Sequence, residues 1–184
     1  MRQAGRYMPE YRAMRERHGF LELCKNPQAA AEVTLQPVGR RGVDAAILSA
    51  DILLVLEPLG VGLQFTKGEG PHIERPVRSA ADVARLGRGA AASLGFVFET
   101  VGLARKALGD RVPLIGFAGA PFTLASYAIE GGTSKSFLEL KKLMYREPET
   151  WQALLERLSS MVAEHLLFQH EKGAEALVLF DTWA

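Results

Sequence analysis

Only one cysteine, Cys24, occurs in the 184 residues. No internal disulfide can therefore staple the fold, and a reducing compartment suits it. No histidine stands near Cys24 in sequence, which favours a small buried apolar side chain over a thiolate nucleophile. Neither sign of charge is in excess, with 22 basic residues against 21 acidic, so the total gives no electrostatic reason to expect a nucleic-acid or membrane partner. No apolar run approaches the ~18 residues that a membrane-spanning helix needs. Met1 is followed by Arg2 and polar residues rather than by the apolar core of a secretion signal. A soluble cytoplasmic protein is expected. Phosphate-cradling loops of the Gly-x-x-x-x-Gly-Lys and Gly-x-Gly-x-x-Gly types are missing, as is a nucleophile elbow. The four histidines, His18, His72, His165 and His170, form no metal-binding pattern; the last two are five residues apart, a spacing that a helix does not stack. No metal and no cofactor is expected.

What is present is an apolar chain, 48% hydrophobic, long enough for one domain with a sizeable core. Three short runs are apolar at nearly every residue: Asp44–Ser49, Pro113–Ala118 and Ala176–Phe180. That pattern predicts parallel strands covered on both faces. A helical segment precedes each. Asn26 and Pro27, as cap and first helical residue, open one that runs to about Arg41, with Pro37 kinking or ending its last turns. Ser93 to Leu108, closed by Gly109, forms the second. Pro148 to Lys172, closed by Gly173, forms the third, with Leu154, Leu155, Leu158, Val162, Leu166 and Phe168 at roughly helical spacing and expected to face the sheet. Shorter helices are predicted over Pro9–His18 and Ser79–Leu86, the latter with Ser79 and Asp82 in a capping-box-like spacing. Residues 62–78, with Gly62, Gly68, Gly70, Pro71 and Pro76, read as an irregular excursion or hairpin. The order is helix–strand, repeated, and implies an α/β fold with a parallel sheet.

Parallel α/β sheets bind ligands at the C-terminal ends of their strands. Asp51, Gly119-Ala-Pro121 and Asp181-Thr182 follow the three predicted strands and so belong to one rim. Asp51 is either a hydrogen-bond acceptor of structural value or a catalytic carboxylate. Tyr127, in an apolar segment, is either a core side chain with its hydroxyl satisfied or a ligand contact. Residues 1–25 carry six basic side chains against three acidic ones. Within them Arg2 and Arg6 stand four apart with Gln3, Ala4 and Gly5 between, which fits either a surface loop or an anion site. Arginine grips carboxylates through paired hydrogen bonds of ~1.5–3 kcal/mol each when shielded from water. Arg, Asp, Tyr and Thr, with a cationic anion site, suit an enzyme that handles a polycarboxylate without metal or nucleotide.

Two longer motifs go further. Met1-Arg-Gln-Ala-Gly-Arg-Tyr-Met-Pro-Glu-Tyr11 and Leu114-Ile-Gly-Phe-Ala-Gly-Ala-Pro-Phe-Thr-Leu124 closely resemble signatures of the uroporphyrinogen decarboxylases. Thr34–Pro37, Ala46–Leu53, Gly68–Pro71 and Leu179–Ala184 match in the same order. The resemblance implies a (β/α)8 TIM barrel, usually a homodimer, that removes carbon dioxide from the four acetate side chains of uroporphyrinogen III. The product is coproporphyrinogen III, in tetrapyrrole (haem) biosynthesis. It further implies that Arg2 and Arg6 hold substrate carboxylates, that Gln3, Ala4 and Gly5 line the backbone beside them, and that Arg15 is a further substrate-side arginine. By the same resemblance Asp51 meets the central pyrrole NH groups, and Tyr127 and Thr182 supply hydroxyl contacts. Asp51 and Arg2 are the catalytic candidates; arginine's high pKa makes it an awkward acid, so the proton donor stays unassigned.

A complete TIM barrel takes ~250 residues. The signature methionine lies inside the family's chains but is residue 1 here. The expectation is therefore a single partial barrel domain over residues 1–184, roughly the first half, cut at both ends. Alone it is expected to be inactive, with an open sheet edge that invites aggregation. Three other readings remain at this point. One is a corrinoid or methionine-synthase-like methyltransferase, marked by a later His/Cys zinc cluster. Another is a tetrapyrrole-binding protein without turnover. The weakest is a nucleic-acid patch on the basic N-terminus.

Overall fold

The computed structural model describes residues 5–66, 70–87 and 91–182. It begins with α1 (Pro9–Arg17), α2 (Phe20–Lys25) and α3 (Pro27–Arg41), then β1 (Ala46–Ile47), β2 (Leu63–Thr66), β3 (Gly70–Ile73) and α4 (Ala80–Arg85). There follow α5 (Gly95–Leu108), β4 (Leu114–Gly119), α6 (Pro121–Glu130), α7 (Leu138–Arg146), α8 (Pro148–Glu171) and β5 (Ala176–Phe180). Two short 3-10 turns occupy Ile52–Leu56 and Ala91–Leu94. The chain divides into two compact units, residues 1–51, 94–118 and 166–178 in the first and residues 52–93, 119–165 and 179–184 in the second.

The sheet order is β1-β4-β5, with β4 in the middle. β1 runs parallel to β4 in the register Ala46↔Leu114 and Ile47↔Ile115. The predicted second and third strands are found within a residue or two, but the first is shorter than the expected Asp44–Ser49. The backbone shows why. Leu48 still donates to Ile115 O at 3.0 Å, while Ser49 N–H, which faces away from β4, is bonded by the Thr34 hydroxyl at 2.9 Å. On β4, both backbone groups of Phe117 are taken by the Gln169 side-chain amide, each at 2.9 Å. The Gln169 side chain has replaced the ladder at Phe117, and pairing stops. Gln169 is fully buried, and it enters where Gly116 has no Cβ: a methyl there would stand 2.5 Å from its Oε1.

In the first unit α3 lies against α5. Ala29, Ala30 and Ala31 on one helix, and Val101 and Ala104 on the other, are buried, so small side chains let the backbones approach closely. The Asn26 side chain accepts from Ala29 N–H at 3.1 Å, and Gly42 ends the helix in the left-handed conformation, as its cap residues predict. Pro37 was expected to kink or end α3 early, yet the helix continues to Arg41. Its missing N–H falls near the helix end, where Gly42 N–H still reaches Val38 O at 3.1 Å. Cys24 is buried, and Tyr11, Met14, Leu23, Ala29 and Val33 form an apolar cluster beside it in sequence.

In the second unit β2 and β3 form an antiparallel hairpin, which settles the excursion predicted over residues 62–78. Ser79 caps α4 by accepting Asp82 N–H at 3.2 Å, while its own hydroxyl bonds the Asp82 carboxylate at 2.7 Å. The Arg78 N–H and the Ser79 hydroxyl together hold Asp82 below the ordinary carboxylate range. Of α8, Leu154, Leu158 and Val162 are buried and Leu155 half-buried; Leu166 and Phe168, which fall in the first unit, are half-buried. Among the described residues no helix is long and apolar enough to cross a membrane.

Three helices were not anticipated from sequence. α6 starts at Pro121 without a side-chain cap and is buried on most of its surface, Thr123, Leu124, Ala125, Ser126, Ala128 and Ile129 included. A helix covered all round shows no apolar stripe to read. α7 lacks a capping side chain, its N-cap Phe137 being the one described non-glycine residue at positive φ (+51°). α2 is six residues long, too short for a periodic signal.

Candidate active site

The first unit carries Gly5, Arg6, Arg15 and Asp51. Arg2, Gln3 and Ala4 lie outside the described residues. Gly5 is buried at φ +83°, and a Cβ there would meet the Pro37 ring at 2.8 Å. Both the dihedral and the close approach require glycine. Its carbonyl accepts Met8 N–H at 2.8 Å, and this turn delivers the chain to Pro9 at the start of α1. Arg6, inside that turn, is exposed; its guanidinium carbon lies 5.4 Å from the centre of the Phe20 ring. The Arg15 guanidinium lies 5.3 Å from the same ring and donates to His18 O at 2.7 Å. One aromatic ring thus orients two cations, each contact being worth ~0.5–1 kcal/mol at an exposed site. Two neighbouring guanidiniums repel each other, and a carboxylate between them removes that cost.

The corner that bears Phe20 is tied by Glu22, which accepts from Gly19 N–H and pairs with His18 Nδ1, both at 3.1 Å. The hydrogen bond with His18, and after it the Gly19 amide, keep the Glu22 carboxyl below its ordinary range. Asp51 is half-buried, two residues past Ser49. The amide of Ser49 is gripped by Thr34, which is itself buried and donates to Ala30 O at 2.8 Å. α3 therefore determines where the chain leaves β1, and with it where the Asp51 segment starts.

The second unit carries Tyr127 and Thr182. α6 begins directly after β4, and its first turn is fastened to the end of β5. Ala120 N–H donates to Phe180 O, the Thr123 hydroxyl donates to Asp181 Oδ1, and Thr182 N–H donates to the Thr123 oxygen, all at 2.9 Å. Tyr127 is half-buried and stands four residues after Thr123, on the same stripe of α6. Gly119 permits the tight exit from β4, since a Cβ there would lie 2.9 Å from Leu124 Cδ2 and 3.2 Å from Ile52 Cβ. Thr182 itself is exposed.

The residues therefore fall into two sets. Arg6 and Arg15 meet at Phe20, with Asp51 on the segment that Thr34 pins. Tyr127 stands on α6 itself, and Thr182 is tied to α6 through Thr123. Thr123, Phe20 and Thr34 were not singled out from sequence. Thr34 and Thr123 lie within motifs quoted for their resemblance and Phe20 in none, and nothing in a linear pattern tells a buried threonine that bonds two distant groups from one that fills space. Among the described residues no three His, Cys, Asp or Glu side chains converge as metal ligands do.

These local structures belong to a chain whose relatives are known. A solved methyltransferase from Methanosarcina mazei matches with a TM-score of 0.67, over 91% of this chain and 50% of its own, at 19% identity. At that identity the likeness shows the fold alone. The family model described as uroporphyrinogen decarboxylase matches residues 1–184. Proteins with that name from Roseiflexus sp. (strain RS-1), Chloroflexus aggregans and Methylococcus capsulatus are 54%, 55% and 52% identical to it, each across 100% of this chain. The chain spans about half the length of these curated relatives, 53%, 52% and 53% respectively. The fold is accordingly a partial (β/α)8 barrel, with β1, β4 and β5 as consecutive parallel strands, and the chain belongs to the uroporphyrinogen decarboxylase family.

Proposed function

We propose that the full-length protein decarboxylates the four acetate side chains of uroporphyrinogen III to give coproporphyrinogen III. The observation that carries this reading is identity above 50% to relatives of that name along the whole chain, motifs included. The side chains suit the chemistry. Protonating a pyrrole carbon turns the ring into an electron sink, so an acetate can lose carbon dioxide without a cofactor. Asp51, facing the pyrrole NH groups, stabilises that cation. Arg2, Arg6 and Arg15 hold the substrate's other carboxylates, with Gln3, Ala4 and Gly5 as backbone lining. Tyr127 and Thr182 contribute hydroxyl contacts. Arg2 is a candidate for the first proton donor. The protein acts as a cytoplasmic homodimer, with neither nucleic acid nor membrane as a partner.

The test is anaerobic turnover of uroporphyrinogen III by the full-length protein, with products oxidised and separated by carboxyl count. Stepwise loss of four carboxyls is expected. Binding without any loss of carboxyl groups would instead identify a tetrapyrrole-binding protein. Asp51→Ala should lower turnover by ~10²-fold or more, comparable to deleting one preorganised electrostatic contact. Unchanged turnover would remove Asp51 from the mechanism.

A further inference from the structure

We infer that Thr123 is a positioning residue for Thr182, acting on the Thr182 backbone rather than on the substrate. This rests on the reading of Thr182 as a substrate hydroxyl contact. Residues 181 and 182 lie beyond the last residue of β5, Phe180, so no strand ladder holds them. Both are exposed, whereas the side chain that grips them is fully buried. A threonine hydroxyl has one proton to give and two lone pairs to receive with. Thr123 gives its proton to Asp181 Oδ1 and receives Thr182 N–H, each at 2.9 Å. The adjacent bond from Ala120 N–H to Phe180 O, also 2.9 Å, fastens the preceding residue. Three consecutive residues are thus located by the start of α6.

The polarity of the clip matters. A carboxylate acceptor makes the first bond charge-assisted. Donating into it polarises the hydroxyl oxygen, which strengthens that oxygen as an acceptor for the Thr182 amide. The Thr123 end of both bonds is buried, so water competes for them only from the Asp181 and Thr182 side. Were the hydroxyl lost, the Thr182 amide and the Asp181 carboxylate would turn to solvent, and the Thr182 side chain would lose its fixed origin. Tyr127, one turn further along α6, is unaffected by that loss. The effect on catalysis should therefore be confined to what Thr182 contributes.

The experiment is a double-mutant cycle in the full-length protein, with uroporphyrinogen as substrate and a thermal melt of every variant. Thr123→Val keeps the shape and removes the hydroxyl; Thr123→Ser keeps the hydroxyl. Thr182→Val and Thr123→Val are each expected to lower kcat/KM by ~10-fold. Thr123→Ser should restore nearly parental values, and the double variant should fall no further than the worse single one. Parental kcat/KM in Thr123→Val, or losses that multiply in the double variant, would overturn the inference while leaving the Thr182 contact standing. A silent Thr182→Val would remove that contact, and the inference with it. If Thr123→Val does not fold, the exposed Asp181 provides the second route. Asp181→Ala should cost roughly 3-fold in kcat/KM, and Asp181→Asn, whose amide oxygen still accepts, should cost little. Parental activity in Asp181→Ala would count against the clip.

Discussion

In one unit the Thr34 hydroxyl accepts Ser49 N–H beyond β1 and donates to Ala30 O, one turn back on the same helix. In the other, Thr123 accepts Thr182 N–H beyond β5 and donates to the Asp181 carboxylate, next to the residue it holds. Both threonines are buried and both catch a strand as it ends. The difference lies in what orients the hydroxyl. Thr34 is set by its own helix and would keep its aim if the β1 end moved. Thr123 is set by the segment that it positions, so each half of that clip depends on the other. The wider setting of the two units differs in the same sense. The first unit buries Gln169 with both amide atoms on neutral backbone groups of Phe117. The second counts His165 among its residues, and burial pushes this imidazole down to about 4.

The contrast can be broken most forcefully at Gln169. Gln169→Leu leaves the Phe117 N–H and C=O buried without partners, at ~1–3 kcal/mol for each group. A loss of about 4 kcal/mol is expected in urea unfolding of the full-length protein, the same at pH 7 and pH 5. A loss below 1 kcal/mol would mean that β4 finds another partner. Next in size is His165. Its ordinary value is 6.5 and its folded value about 4, so between these limits the unfolded chain binds a proton that the native chain refuses. Stability therefore falls as pH drops from 6.5 towards 4, by ~3 kcal/mol in total, and is fully present above 6.5. Urea titrations of the parent and His165→Gln isolate this contribution. A difference between them that stays flat from pH 7 to pH 4.5 would show that the imidazole is not desolvated. The smallest effect is expected at Thr34→Val, about 1–2 kcal/mol with Thr34→Ser near parental. Because the Thr34 hydroxyl is oriented by Ala30, that cost should not change with pH. A pH-dependent cost would erase the distinction between the two threonines.

Much of this was legible in the chain. Asn26 with Pro27, Ser79 with Asp82, and Gly109 mark helix ends because their chemistry is local. Both longer strands could be read because continuous apolar runs between helices have few other uses. α6 could not, since its burial on most sides erases periodicity, and neither could the early end of β1, which depends on Gln169 reaching in from elsewhere. The candidate site divides in the same way. Arg6, Arg15, Asp51, Tyr127 and Thr182 could be named from motifs and from their place after strands. Their supports, Phe20, Thr34 and Thr123, could not.

The sequence by itself determined the family, the alternation of helix and strand, and the types of side chain available for chemistry, because caps, apolar runs and motif spacings act over a few residues. Only the tertiary structure decided which backbone groups those side chains hold. The hydroxyl of Thr123 and the amide of Thr182 are separated by 59 residues in the chain and by 2.9 Å in space. A hydrogen bond depends on distance and direction, and a linear pattern records neither.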